Sequence, residues 1–307
     1  MAKLRRFHRD VDGILLLDKS LGLSSNAALQ QVRELYGAVK AGHAGSLDPL
    51  ASGLLPVCFG QATKVCGRLL NSGKTYRVLV QLGELTPSGD GETEVSERAP
   101  VPTLTAAGVD AVLAGFLGEQ QQIPPMHSAL KFEGKRLYEL ARRGESVERP
   151  ARSIVIHRIA RVTAEASIAE GLLEFDVYCS KGTYVRTLAA DIAVRLGTLG
   201  YVKGLRRLSV DPFGESPMYT LEQLSAEPRE SLSARLLTVD SAFSDLPRLD
   251  LDRTAEHGLL QGRVVSAQTP AAAGESRLYG PQGRFLGLGE GQEGGRVKPS
   301  RLFVAGS

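Results

Sequence analysis

The chain reads as an α+β protein: a mixed, largely antiparallel sheet with flanking helices over residues 10–247, then a small β-barrel from about residue 248. Three patterns predict this. Some segments alternate apolar and polar residues with the two-residue period of a half-buried strand, others repeat apolar residues at helical spacing, and the last part of the chain breaks into short apolar runs between glycines and prolines.

In order along the chain, Gly13 to Lys19 is apolar enough for a buried strand. Ser24 to Tyr36 follows as a helix: Ala28, Val32, Leu35 and Tyr36 share one face, serine begins it and Gly37 ends it. Residues 42–60 form a long glycine-rich segment. Tyr76, Val78, Val80 and Leu82 alternate along a strand, and a Pro/Ser/Gly/Asp loop runs from Thr86 to Gly91. Val109, Val112, Leu113, Phe116 and Leu117 have helical spacing. Ile123 to Arg152 is polar and basic, with one helical turn around Leu137 and Leu140, and reads as an excursion from the core. Leu173, Phe175, Val177 and Cys179 alternate along another strand, which passes through Lys181-Gly182-Thr183 into a helix carrying Leu188, Ile192 and Leu196. Such strand-to-helix junctions are where sites are often built. Beyond Pro247 the strand-like runs are Val264-Val265, Arg277 to Tyr279, Phe285 to Gly287 and Leu302 to Val304. Gly287, Gly289 and Gly291 have the look of a phosphate loop, but no helix pattern follows, so they read as turn glycines.

With 307 residues, 42% of them apolar, the chain can bury a sizeable core. Its net charge of +3 is weak evidence for a polyanionic partner. Lys3, Arg5, Arg6 and Arg9 are not followed by the apolar run of a signal peptide, and no stretch is apolar for long enough to span a membrane, so a cytoplasmic protein is expected. Cys58, Cys66 and Cys179 lack CxxC spacing and read as buried thiols. The histidines His8, His43, His127, His157 and His257 are scattered without ligand spacing, so no metal site is expected.

The densest punctuation is Gly42-His43-Ala44-Gly45-Ser46-Leu47-Asp48-Pro49-Leu50-Ala51-Ser52-Gly53, where one acidic side chain sits among glycines that allow close backbone approach. Asp48 is the only carboxylate between Glu34 and Glu84. Taken alone, Asp48-Pro49 reads more readily as a simple turn than as a site.

Taken together with Gly13 to Asn26, this string closely resembles the bacterial TruB-type tRNA pseudouridine-55 synthases in order and spacing. Further matches are Lys74 to Val78, Pro125 to Arg142, Cys179 to Leu188 and Gly204 to Leu208, so the resemblance spans nearly the whole chain. It implies the pseudouridine synthase fold over 10–247, an RNA-binding insertion at about 124–152 and a PUA-like RNA-binding domain over 248–307. It also implies isomerisation of a T-loop uridine by base flipping, cleavage of the glycosidic bond and reattachment of uracil through C5, with a possible further role in tRNA folding.

The resemblance makes Asp48 the essential carboxylate, Tyr76 the residue stacked on the target uracil, and Arg186 a partner for Asp48 and Asp90. Tyr184 and Leu205 would line the uracil pocket, and His43 would contact the T loop by its aromatic shape. Lys19, in the first motif, and Asp90 are expected to support the site. A carboxylate can act as nucleophile or base beside an electron-poor sugar carbon, and an isomerisation needs neither redox nor metal chemistry, so no cofactor is implied. Residues 131–152 hold seven basic side chains against four acidic ones. Lys131, Lys135, Arg136, Arg142 and Arg143 are the expected phosphate contacts, on a thumb that closes over the T arm of tRNA. No obligate protein partner is implied, and a monomer is expected.

Three positions depart from the family pattern: Ser20 replaces proline, His127 replaces tyrosine, and Pro87-Ser88-Gly89 varies a threonine-rich loop. None removes a proposed catalytic group. Two rival readings remain. A glycoside hydrolase would need a second acid/base carboxylate for which no motif stands out, and a non-catalytic RNA binder would have no use for Asp48.

Overall fold

The computed structural model describes residues 9–303 apart from 129, 142 and 215. The first half runs β1 (Gly13–Lys19), α1 (Ser25–Tyr36), β2 (Ala41–His43), β3 (Ala51–Phe59), α2 (Cys66–Asn71), β4 (Lys74–Leu82), β5 (Glu84–Leu85), β6 (Glu97–Arg98), α3 (Ala106–Ala114) and β7 (Gly118–Gln122). Next come β8 (Lys131–Phe132), β9 (Lys135–Arg136), α4 (Leu137–Ala141), β10 (Arg152–Arg161), α5 (Glu165–Ala169), β11 (Leu172–Cys179), α6 (Val185–Arg195), β12 (Gly200–Val210) and α7 (Leu221–Ser225). The chain closes with β13 (Arg248–Asp250), α8 (Arg253–Leu260), β14 (Val265–Ser266), β15 (Glu275–Tyr279), β16 (Phe285–Gln292) and β17 (Arg296–Leu302).

The large sheet has the order β1-β3-β12-β4-β11-β10-β7, with β2 added on β3. It is antiparallel throughout except where β12 runs parallel to β3, which bears out the mixed, largely antiparallel expectation. Ile14 to Leu17 are almost fully buried, and each such aliphatic side chain contributes roughly 1.5–3 kcal/mol. The predicted α1 forms as read: the Ser24 side chain accepts from Ala27 N–H, and Gly37 closes the helix in the left-handed region.

β3 lies inside the segment that the sequence presents as glycine-rich loop, and most of it is buried. Its Pro56 falls between the stretch paired with β12 and the stretch paired with β2. On that side the Pro56 carbonyl accepts from Ala44 N–H, and no neighbouring strand requires the N–H that proline lacks. The helix at Val109 ends at Ala114, which leaves Leu117 outside it and exposed.

After residue 247 the expected barrel is an open, curled sheet of five strands in the order β13-β15-β16-β17-β14, half a barrel. It carries one helix, α8, that the strand-like texture concealed. The glycines at 287, 289 and 291 are inside strand β16 rather than in a turn. There Gly287 and Gly289 admit the closely packed β17, a Cβ on Gly287 meeting the Arg301 carbonyl at 2.2 Å, and Gly291 passes close to the Ala272 carbonyl. This sheet is docked on the large one through Phe243, whose ring lies 6.2 Å from Phe285 and 5.7 Å from Phe303. Lys64 Nζ donates to Leu302 O, and Arg301 donates to Lys64 O in return. Val304, the end of the last predicted run, lies outside the described residues, as do Lys3, Arg5, Arg6 and His8. Among the described residues no helix is long and apolar enough to cross a membrane.

Candidate active site

Asp48 sits in the turn between β2 and β3, and its carbonyl accepts from Ala51 N–H. Two contacts from the first motif hold that turn. Ser25, the first residue of α1, both accepts from Leu47 N–H and donates to Leu47 O, and Gly22 N–H donates to Pro49 O. The two motifs recognised separately in sequence are therefore one substructure.

The backbone below the turn is shaped by Arg207, which is only 1% exposed. It donates to Leu54 O at 2.7 Å and to Gly45 O at 2.9 Å. Gly45, at φ +83°, and Gly53, at φ +99°, pass so close to it that a Cβ on Gly53 would meet the Arg207 carbonyl at 2.2 Å. Only glycine fits there.

Arg186 enters from the first turn of α6 and is 8% exposed. Its Nη2 lies 3.0 Å from Asp48 Oδ2 and donates to His127 O at 2.7 Å, while Nη1 lies 3.3 Å from Asp90 Oδ2 and donates to Ser88 O at 2.8 Å. A planar fork with two carboxylates and two carbonyls around it is a geometry lysine cannot reproduce. Ser88 in turn donates to Asp90 Oδ1 at 2.6 Å. Two of the departures, His127 and Ser88, thus serve the arginine through backbone carbonyls, which any side chain would leave in place.

Asp48, Tyr76, Tyr184, Arg186 and Leu205, all chosen from sequence, line one cavity of about 230 Å³. Gln122, at the end of β7, grips Tyr184 by accepting from its N–H and donating to its carbonyl. Asp90 stands behind Arg186, on the wall of a small adjoining cavity shared with Asp48 and Leu205. His43 and Lys19 lie outside the cavity lining. Burial holds the His43 imidazole below its ordinary value, with Arg207 pushing the same way, so it is neutral at neutral pH. Burial raises the Tyr76 phenol, against a smaller opposing pull from Arg207, so the hydroxyl stays protonated and the ring is a stacking surface. Leu47, Ser128 and Arg207 were not singled out in sequence. Leu47 and Ser128 share the Asp48 and Arg186 cavity; all three lie inside matched strings, but nothing in the strings set them apart from their neighbours.

In the insertion, Lys135 and Arg136 are exposed on β9, and Arg136 lies over the Tyr138 ring. Lys131 lies in β8. Arg143 is paired with Glu145 at 2.8 Å, which weakens its attraction for an incoming phosphate. Arg142 lies outside the described residues. Among the described residues no three His, Cys, Asp or Glu side chains are grouped to hold a metal ion.

Three family models cover most of the chain. The TruB family pseudouridylate synthase N-terminal domain matches residues 33–185, the tRNA pseudouridylate synthase B C-terminal domain matches 186–244, and the pseudouridine synthase II TruB C-terminal model matches 247–303. The chain belongs to the TruB family of pseudouridylate synthases. Proteins named tRNA pseudouridine synthase B from Chromohalobacter salexigens and Methylobacillus flagellatus are 49% and 48% identical to it. The first alignment covers 100% of this chain and 99% of that protein, the second 98% of each. A chain from the crystal structure of a Cbf5-Nop10-Gar1 complex has the same fold, with a TM-score of 0.71 and 23% identity over 95% of this chain and 85% of that one.

Beneath this TruB-family site, Lys19 is fully buried and donates to Ser20 O and Leu23 O. Burial lowers its pKa to about 8, partly countered by Asp48. Between pH 8 and 10.5 the unfolded lysine holds a proton that the folded one has lost, so the Lys19 contribution to stability rises with pH across that window and is lost as pH falls back through 8. In urea melts, the stability difference between wild type and Lys19→Met should therefore shift toward the wild type from about pH 8 to pH 10.

Proposed function

We propose that the protein isomerises uridine-55 in the T loop of tRNA to pseudouridine, acting in the cytoplasm as a monomer. The observation that carries this reading is Asp48, half-exposed at the mouth of a cavity and held by the buried fork of Arg186. The full-length relatives that carry the name tRNA pseudouridine synthase B give it its substrate.

A base inside a folded loop must be extruded before its sugar and C5 can be reached, at a cost of a few kcal/mol. In the proposed complex Tyr76 stacks on the extruded uracil while Leu205 and Tyr184 confine it. Asp48 acts at the sugar as the N-glycosidic bond breaks, the freed uracil turns within the closed cavity, and C5 bonds to C1′. The C5 hydrogen is then lost as a proton, and N1, which keeps the electron pair of the broken bond, takes a proton up. Nothing is oxidised or reduced. Arg186 holds Asp48 in place, with Asp90 steadying the arginine, and His43 contacts the T loop by its shape.

An unmodified T-arm RNA carrying 5-tritiated uridine tests this. Release of tritium to water without free uracil is the expected result. Retention of tritium on RNA that is bound by the protein would overturn the reading, and free uracil would point to a hydrolase.

Remote contacts offset the cost of extrusion. The proposed RNA-binding insertion at about 124–152 contributes Lys131, Lys135, Arg136, Arg142 and Arg143, and the segment from 248 forms a PUA-like domain that touches RNA away from the reacting base. Removing one phosphate contact lowers the slope of log affinity against log salt by about 0.7–0.9. Lys135→Ala with Arg136→Ala should lower that slope by about 1.5 in filter-binding titrations while leaving the rate at saturating RNA unchanged.

A further inference from the structure

Ser128 is 5% exposed, and its hydroxyl has no hydrogen-bond partner among the described residues. Its backbone is fully engaged: the N–H donates to Met126 O and the carbonyl accepts from Tyr138 N–H. The residue before it is held by Arg186, which donates from Nη2 to His127 O while the same nitrogen contacts Asp48. The residue is part of the lining of the cavity that Asp48, Tyr76, Tyr184 and Leu205 also line, with its hydroxyl covered in the free protein.

A buried hydroxyl without a partner destabilises the free protein, and native structures rarely keep one without a use. This one is fixed at both backbone ends and tied through a single arginine to the carboxylate. It can donate one hydrogen bond and accept others, which suits a carbonyl or N–H of uracil or the 2′-hydroxyl of the ribose. None of the side chains around it in the cavity satisfies it.

We propose that the Ser128 hydroxyl is a substrate-binding group that hydrogen-bonds the flipped uridine and helps to orient it against Asp48. The proposal rests on the pseudouridine synthase reading of the same cavity. Ser128 is satisfied only when the nucleotide enters, so the free enzyme bears the cost of the orphaned hydroxyl and the bound complex recovers it. Sites that contribute binding energy in this way trade stability for function.

The test uses the full chain with Ser128→Ala and Ser128→Thr. For alanine, kcat/KM for T-arm RNA should fall on the order of 10- to 100-fold while Tm stays level with the wild type or rises. Threonine, which keeps a hydroxyl, should recover part of the loss. T-arm RNAs with 2-thiouridine, 4-thiouridine, 3-deazauridine or 2′-deoxyuridine at the target position are then compared as competitive inhibitors. The analogue that weakens binding to wild type but not to Ser128→Ala identifies the group the hydroxyl touches. Activity of Ser128→Ala within twofold of wild type overturns the proposal. So does a fall in Tm parallel to the fall in activity, or four analogues that affect both proteins alike. The reading on which it rests fails separately, if the wild type itself forms no pseudouridine.

Discussion

Replacing Asp48 with asparagine lowers the single-turnover rate of pseudouridine formation by at least about 10³-fold, with tRNA affinity and fold retained. The amide has the shape of the carboxylate but carries no charge, and it is a poor nucleophile and base. Removing a group that acts directly on the reacting bond typically costs this much or more. The stability cost is small because the Asp48 side chain is 47% exposed, and ion pairs of that exposure contribute no more than about 1 kcal/mol. Arg186 keeps Asp90, Ser88 O and His127 O after the change. Rapid-quench assays with nitrocellulose binding separate the two quantities: a slow variant that still binds agrees with Asp48 as the reacting group, and one within tenfold of wild type does not.

Arg186→Lys is the second large effect, on the order of a 10²-fold loss in kcat with little change in KM. Two guanidinium nitrogens serve four oxygens on three segments of chain: the Asp48 turn, the loop of Ser88 and Asp90, and the base of the insertion. A single ammonium on a flexible stem can reach some of these and not all. The group left unserved is then either Asp48, which is displaced from its working position, or buried oxygens that lose a donor. A displacement of about 1 Å in a reacting group costs on the order of 10²-fold. Stability should fall too, by about 1–3 kcal/mol, because 8% exposure leaves no water to take the place of the missing bonds. Denaturant melts together with initial rates check both. If kcat is unchanged, the arginine does not position the carboxylate.

Much of this arrangement was legible because the relevant segments keep one period from end to end. β1, β4, β11 and α1 present a mainly apolar face to the interior, with the buried Lys19 and Lys74 at strand ends, and the α1 caps are the residue types such positions favour. Other elements hide their period. β10 shifts register between Ile156 and Arg158, so the two-residue period breaks midway while Ile154, Ile156 and Ile159 all pack into one core. β12 carries a fully buried arginine where an apolar residue belongs, and β7 is the edge strand Gly-Glu-Gln-Gln-Gln with little to bury. α8 is a short helix whose signal is no more than an Asp252 cap with Ala255 and Leu259 four apart.

The site divides in the same way. Asp48 stood out as a lone carboxylate among glycines, and the string around Arg186 resembled a family motif. Ser128 lay inside the matched string Pro125 to Arg142 but was not picked out within it, since an unpaired hydroxyl is a property of three-dimensional surroundings. Arg207 was visible only as one of two adjacent arginines. Its role in shaping the Asp48 loop depends on contacts with Leu54 O and Gly45 O, 153 and 162 positions away in the chain.

Whether Asp48 converts a tRNA uridine is decided most directly by mapping pseudouridine at nucleotide resolution in an unmodified tRNA transcript after incubation with wild type or Asp48→Asn, with no metal or nucleotide added. Modification at uridine-55 by the wild type alone, with both proteins binding the transcript, is the expected result. Binding without modification by either protein, or equal modification by both, would refute the assignment.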